Sequence, residues 1–81
     1  MLRTVNFVEY AVGQIVNEPG RVHISISREE NGGKQVISIR VSPRDKGRVV
    51  GREGRTIRAL RTLVKAAAGA ETHVVVTVVD E

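Results

Sequence analysis

The sequence predicts an α+β domain in which helices cover one face of a three-stranded sheet. Apolar residues recur at three- and four-residue steps in two long segments, which is the period of an amphipathic helix. They alternate with polar residues in two shorter segments and are dense in a third, as in partly buried strands. The 81 residues suffice for one domain, residues 1–81, with the element order helix, strand, strand, helix, helix, strand.

The first helix is predicted from about Leu2 to Asn17. The sequence Asn17-Glu18-Pro19-Gly20 ends it, because proline cannot continue a helix and glycine favours a turn. Its apolar stripe consists of Val5, Val8, Val12 and Ile15.

Two strands follow, and Asn31-Gly32 supplies turn chemistry between them. The side chains predicted to face the helices are Val22, Ile24, Ile26, Ile37, Ile39 and Val41. The opposite face of the sheet is predicted to be polar. It would carry His23, Ser25, Ser27, Ser38, Arg40, His73 and Thr77.

The sequence Ser42-Pro43-Arg44-Asp45 carries three signals of a helix start. Ser42 suits the N-cap, Pro43 suits the first helical position, and Asp45 stands where a capping box places an acid. This helix is predicted to end near Val50, since Gly51 follows.

A longer helix is predicted over residues 55–68, with Gly69 placed to end it. Its apolar face consists of Ile57, Leu60, Leu63, Val64 and Ala67, and its basic face of Arg55, Arg58, Arg61 and Lys65. The last strand is predicted over residues 72–79, with Val74, Val76 and Val78 facing inward.

Positive charge is concentrated in the middle of the chain. The formal net charge is +4, but residues 40–65 hold nine cations and two anions, a net of +7, while the remaining residues have a net charge of −3. Such a local excess predicts a site for a polyanion. Charge alone leaves a solvated helix face as the alternative.

Composition excludes several classes of protein. No cysteine is present, which excludes disulfide scaffolds, cysteine zinc sites, iron–sulfur clusters and thiol nucleophiles. Phe7 and Tyr10 are the only aromatic residues, so base stacking on an aromatic platform is not expected. Neither a signal peptide nor a run of about 18 apolar residues is visible, which favours the cytoplasm.

The most specific stretch is the turn from Gly51 to Gly54, which joins the two middle helices. Glycine permits a positive φ, and the backbone N–H groups that open the second helix favour a phosphate. Arg52 and Arg55 add full positive charges, while Val50 and Ile57 are predicted to anchor the two helices. The structural alternative is that Gly51 is an ordinary helix C-cap and Gly54 an ordinary turn residue.

With apolar residues at 49, 50 and 57 around the two glycines, this stretch resembles the signature of KH domains. The element order resembles the type II KH fold (αββααβ). The whole chain is similar to the KhpA family of small bacterial single-KH proteins, through Val8-Glu9-Tyr10, residues 41–56 and residues 57–63.

The resemblance implies binding of single-stranded RNA, with four nucleotides clamped against the glycine-bounded loop and the strand Gln35–Val41 beside the groove. The residues assigned to RNA binding are Gly51, Arg52, Glu53, Gly54, Arg55, Val49, Val50, Ile57, Arg48, Arg58, Lys46 and Arg40.

The family resemblance also implies a partner and a role. The implied role is that of an RNA chaperone or post-transcriptional regulator, acting with a KhpB-like protein that carries KH and R3H domains, or as a homodimer. A link to cell-wall homeostasis and cell length is implied in the same way. Two other classes stay open: a KH fold used only for protein–protein contact, and binding of single-stranded DNA.

Catalysis, metals, cofactors and small-molecule substrates are not expected. Counted from Gly47, the second glycine of an NTPase phosphate loop would fall at Arg52. His23 and His73 have no cysteines and no closely spaced carboxylates beside them, so they are interpreted as surface residues. Ser42 lacks the context of a catalytic nucleophile.

Overall fold

A computed structural model describes residues 2–29, 33–69 and 73–80. Its helices are α1 (Leu2–Ile15), α2 (Lys46–Val50) and α3 (Arg55–Ala68), and its strands are β1 (His23–Arg28), β2 (Gln35–Val41) and β3 (Val74–Asp80). Single 3₁₀ turns span Pro19–Arg21 and Arg52–Gly54. The α+β class and the predicted order of helices and strands are therefore confirmed.

The three strands form one mixed sheet in the order β1-β2-β3. β1 pairs with β2 in antiparallel fashion, and β2 pairs with β3 in parallel. A parallel pair needs a crossover connection, which α2 and α3 supply. As the central strand, β2 has both of its edges paired.

The core is aliphatic and lies between the sheet and the helices. Inward-facing side chains of β2 alternate with outward ones, as predicted, and the helices contribute narrow stripes to the same cluster. The buried apolar residues are Val8, Val12, Val16, Ile37, Ile39, Val41, Val49, Ile57, Leu60, Val64, Val74 and Val76.

The sheet face without helices, here called the open face, is less polar than predicted. Strand register places three alternating positions of each strand on it. On β3 those positions include Val75 and Val79, and His73 precedes the strand. The open face consists of His23, Ser25, Ser27, Val36, Ser38, Arg40, Val75, Thr77 and Val79.

The predicted stripe of α1 is partly wrong. Val8 and Val12 are buried as expected, but Val5 and Ile15 are only half-buried, and Thr4 lies on the buried side. The buried positions follow one another at four-residue steps, and one of them holds a polar residue. A pattern built from apolar residues alone therefore placed the edges of the stripe incorrectly.

Three other apolar positions predicted to be buried are exposed. Ile26 has 38% of its surface exposed, because β1 is an edge strand that packs against α1, whereas α2 and α3 cover β3. Leu63 is 50% exposed and Ala67 is exposed, because α3 buries only the narrow stripe through Ile57, Leu60 and Val64.

The predicted start of the short helix is also wrong. Residues 42–45 form a turn in which the Asp45 N–H donates to the Ser42 carbonyl at 2.8 Å, and α2 begins at Lys46. No side-chain hydrogen bond caps this helix. Gly69 does end α3, with φ of 99°. The predicted Asn31-Gly32 turn and the predicted strand start at Thr72 lie outside the described residues.

Candidate nucleic-acid interface

Gly51 has a backbone conformation that is open essentially to glycine alone. Its φ of 79° and ψ of 170° lie in a region that other residues avoid. A Cβ built there would lie 2.8 Å from the backbone nitrogen of Thr56. Since a backbone atom cannot rotate away, glycine is required where α2 ends and the turn begins.

Two consecutive left-handed residues complete the turn. Glu53 has φ of 56° and Gly54 has φ of 75°, and the Gly54 N–H donates to the Gly51 carbonyl at 3.1 Å. A Cβ on Gly54 would meet nothing closer than 3.9 Å, so this glycine is favoured by its φ and not by crowding. The chain reverses here and enters α3 directly.

Arg58 supports the turn from the first half of α3. Its Nη2 donates to the carbonyl of Glu53 at 2.6 Å, and its Nε donates to the carbonyl of Gly54 at 3.3 Å. A charged donor makes such hydrogen bonds stronger than neutral ones. Arg58 therefore holds the two left-handed residues in place, a contact that the sequence pattern does not reveal.

The turn presents unpaired positive charge to solvent. Arg52 and Arg55 are exposed and make no ion pair or side-chain hydrogen bond with any described residue. The backbone N–H groups of Gly51, Gly54 and Arg55 donate within this region, whereas those of Arg52 and Glu53 have no acceptor in residues 2–29, 33–69 and 73–80. The tip of the turn therefore offers two free amides beside two free guanidinium groups.

The two cations of α2 extend this charge. Lys46 and Arg48 are both exposed. The Nε of Arg48 lies 3.9 Å from Oδ1 of the buried Asp45, so its charge is partly balanced. Lys46 has no partner in the part of the chain that the structure describes. A cationic surface thus runs from α2 over the turn to the start of α3.

The apolar residues around the turn serve mainly to anchor it. Val49 is fully buried and Ile57 is 6% exposed, so both belong to the core. Only Val50 is half-buried and keeps some surface. Of these three residues assigned to RNA binding, only Val50 has more than a small part of its surface available for contact with a ligand.

Arg40 lies away from the turn. It alternates with Ile39 and Val41, which are buried toward the helices, and its side chain is therefore on the open face. The strand predicted beside the groove, Gln35–Val41, is β2, which is central and paired on both sides. The strand that packs against α3 and has a free edge is β3. Sequence order does not fix strand order in a sheet, so no residue pattern indicated which strand lies beside α3.

Comparison with known proteins identifies the family. A family model described as the KH domain of KhpA and KhpB matches residues 5–79. The chain belongs to the KhpA/KhpB KH-domain family. The match covers all three strands nearly completely, and it includes α2, the Gly51–Gly54 turn and α3.

Relatives in this family align over most of their length. The RNA-binding protein KhpA of Leifsonia xyli subsp. xyli is 44% identical over 72 residues, which are 89% of this chain and 91% of the relative. The RNA-binding protein KhpA of Treponema pallidum is 36% identical over 74 residues, and that of Mycobacterium tuberculosis is 38% identical over 77. These alignments cover 90% and 95% of this chain, and 90% and 94% of the relatives.

A solved structure shows the same fold. The crystal structure of Era in complex with MgGDPNP and nucleotides 1506–1542 of 16S ribosomal RNA matches with a TM-score of 0.58 and 16% identity. The match covers 96% of this chain and 31% of the Era chain. At this identity the likeness concerns the fold alone. It agrees with the type II KH arrangement that the KhpA/KhpB family predicts.

One residue of this KhpA/KhpB-family chain was not singled out from the sequence. Nε and Nη2 of Arg61 donate to the carbonyl of Val76 at 3.3 and 3.2 Å. The His73 carbonyl accepts from the Gln35 N–H and therefore points toward β2. Backbone carbonyls alternate in direction along a strand, so the carbonyl of Val76, three residues further on, points to the free edge of β3. Arg61 thus covers the free edge of β3. The only indication of this contact in the sequence was the place of Arg61 on the basic face of α3.

Proposed function

We propose that this KhpA/KhpB-family chain binds single-stranded RNA through the Gly51–Gly54 turn. The observation that carries the proposal is the exposed pair Arg52 and Arg55 beside the free amides of Arg52 and Glu53. The relatives from Leifsonia, Treponema and Mycobacterium are named RNA-binding proteins, which supports the same ligand here.

The turn suits a phosphodiester better than a base. A phosphate placed at the tip would accept from the two free backbone amides and from the guanidinium groups, whose forked donors match its oxygens. The rigid turn, fixed by Gly51 and by Arg58, would bind without a large loss of backbone entropy. In this proposal the chain is a binding module and not an enzyme.

We further propose partners and a location for this chain. In this proposal the chain acts in the cytoplasm as an RNA chaperone or post-transcriptional regulator, with a KhpB-like KH/R3H protein or a second copy as partner. Cell-wall homeostasis and cell length are the processes affected. The support for these points is the family resemblance. None of the helices within residues 2–29, 33–69 and 73–80 has the length and hydrophobicity of a membrane span.

The test is a charge reversal at the turn that spares the backbone. Gly51 is unsuitable because any side chain there collides with Thr56. Arg52→Asp combined with Arg55→Asp changes only exposed side chains, and an acid at the start of α3 is compatible with the helix dipole. We expect at least about a tenfold loss of affinity for a labelled single-stranded RNA, since two charge-assisted contacts are removed.

The matched control is Arg3→Asp combined with Arg28→Asp, which changes the net charge equally at exposed positions outside the turn. Equal losses for the two double variants would show that net charge alone governs binding.

For the unmodified chain, about three phosphate contacts predict a log–log salt slope near −2. A slope near −6 or steeper would contradict a single clamp. Parallel titrations with DNA of the same sequence decide between RNA and single-stranded DNA.

A second candidate function is protein–protein contact through α1. Both aromatic residues of the chain lie on this helix and are exposed, Phe7 to 40% and Tyr10 to 68%. Aromatic side chains are enriched at interfaces. If the turn variant bound RNA as well as the unmodified chain did, this candidate would be favoured. Cross-linking to any protein that co-purifies with the chain should then depend on Tyr10.

A further inference from the structure

The open face holds a cluster of polar side chains that no part of the turn reaches. His23 is directly opposite Arg40 in the antiparallel register, and Ser25 is directly opposite Ser38. These four residues line a shallow depression of about 490 Å³ on the surface of the sheet. Their side chains lie on the same side of the sheet, away from the helices.

The chemistry of the depression favours an anion. Arg40 is exposed and forms no ion pair or side-chain hydrogen bond with any described residue. Two serine hydroxyls and an imidazole add donors to its guanidinium group. None of the nine positions of the open face holds a carboxylate. The nearest acid along β1, Glu29, follows the far end of the strand and pairs with Lys34 at 3.8 Å.

We propose that His23, Ser25, Ser38 and Arg40 form a second phosphate-binding site, which holds a phosphodiester group of bound RNA on the open face. The inference rests on the proposed RNA binding and adds a contact on the side of the sheet opposite the helices. Arg40 supplies the charge and the fork for two phosphate oxygens, and the serine hydroxyls donate to the same group. A single chain then engages RNA at two separated places.

The two proposed sites lie on opposite sides of the sheet. The turn follows α2 on the helical side, whereas the depression lies on the opposite side of the sheet. A continuous RNA would have to pass around the sheet edge to reach both sites, or two segments would occupy them separately. A protein that brings two RNA strands together must bind both of them at once.

The test is the salt dependence of RNA binding by Arg40→Gln, with Arg28→Gln as the matched control. Arg28 is also exposed and lies on β1, but strand alternation places it on the other side of the sheet. For a labelled single-stranded RNA, we expect Arg40→Gln to reduce the magnitude of the log–log salt slope by about 0.7, the value for one phosphate contact on a single strand. Arg28→Gln should leave the slope unchanged.

The hydroxyls are tested independently of charge. Ser25→Ala combined with Ser38→Ala should weaken RNA binding roughly fivefold, as expected for lost hydrogen bonds. Ser27→Ala, on the same face but outside the depression, should not weaken it. Circular dichroism and urea unfolding of each variant verify that the sheet is intact.

The outcomes separate this inference from the proposed function. If Arg52→Asp with Arg55→Asp abolishes binding while Arg40→Gln leaves the slope unchanged, the open-face site is wrong and the turn stands. If Arg40→Gln and Arg28→Gln change the slope equally, only net charge matters and the site is again wrong. Polyglutamate is the probe for a protein-docking surface. If it binds the unmodified chain and Arg40→Gln loses this binding without any effect on RNA, the open face is a protein-docking surface and the proposal is overturned.

Discussion

The buried carboxylate of Asp45 accepts a hydrogen bond from the backbone N–H of Asn17 at 3.1 Å. Its other oxygen accepts from the N–H of Glu18 at 3.0 Å. Both donors follow the end of α1, whereas Asp45 immediately precedes α2. One side chain therefore ties two helices together, and the second of these helices leads directly into the Gly51–Gly54 turn.

Asp45→Asn should destabilise the domain, because an amide places an NH₂ group against one of the two backbone donors. We expect the free energy of unfolding in urea to fall by about 1–3 kcal/mol. Asp45→Ala should cost more, since both N–H groups then lack their acceptor. Glu9→Gln, at an exposed position, is the control and should stay within about 0.5 kcal/mol of the unmodified chain. An equally small effect of Asp45→Asn would contradict a structural role for these bonds.

The part of the fold that depends on local patterns was predictable from the sequence. The order of the elements, the inward face of β2 and the end of α3 at Gly69 are confirmed, because alternation and positive φ leave marks in the residues themselves. Asp45 was assigned to a capping box for the same reason, since the local spacing matched. Its observed partners lie 27 and 28 positions away and leave no such mark.

The candidate site was predictable to a similar extent. Positive φ at Gly51 and Gly54 agrees with the predicted turn, but glutamate is an unusual residue for the left-handed region, so Glu53 gave no signal of its φ. Arg40 was assigned both to the RNA-binding residues and, by strand alternation, to the face of the sheet without helices. The register of β2 between its neighbours confirms the second assignment and separates Arg40 from the turn.

The two glycines of the turn should respond differently to alanine. Gly51→Ala combines a disfavoured backbone region with a Cβ 2.8 Å from the Thr56 nitrogen, so a loss of more than about 3 kcal/mol in the free energy of unfolding is expected. Gly54→Ala meets no close atom and should cost only about 1 kcal/mol for its left-handed φ. Thermal unfolding of both variants measures the difference. Equal losses would mean that the close approach to Thr56 is not maintained in solution.

Glu53→Asn should strengthen RNA binding without weakening the fold. Asparagine adopts the left-handed region more readily than glutamate, so the free energy of unfolding should stay equal or rise by up to about 1 kcal/mol. Two unit negative charges roughly 8 Å apart repel by about 0.5 kcal/mol in water, so removing the Glu53 charge near a bound phosphate should give roughly a twofold gain in affinity. Fluorescence anisotropy at low salt measures it. Glu9→Asn, an exposed position on α1, is the charge-matched control and should leave the affinity unchanged.

Arg61→Ala should expose the edge of β3 to other chains. Residues 74–79 contain neither charge nor proline, so the covering of the Val76 carbonyl by Arg61 is a specific protection of this edge. Water can hydrate the freed carbonyl, so the free energy of unfolding should fall by no more than about 1.5 kcal/mol. Self-association should nevertheless rise above that of the unmodified chain as the protein concentration increases, because a second strand can add to the edge.

Sedimentation velocity over a concentration series measures this association, with Lys65→Ala on the same helix as the control. Lys65→Ala also removes one cation, but no bond from its side chain to the edge of β3 is found among the described residues. It should therefore sediment like the unmodified chain. If Arg61→Ala did the same, the edge would be protected by something other than this guanidinium group. If both variants associated equally, the reduced net charge would be the cause and not the uncovered carbonyl.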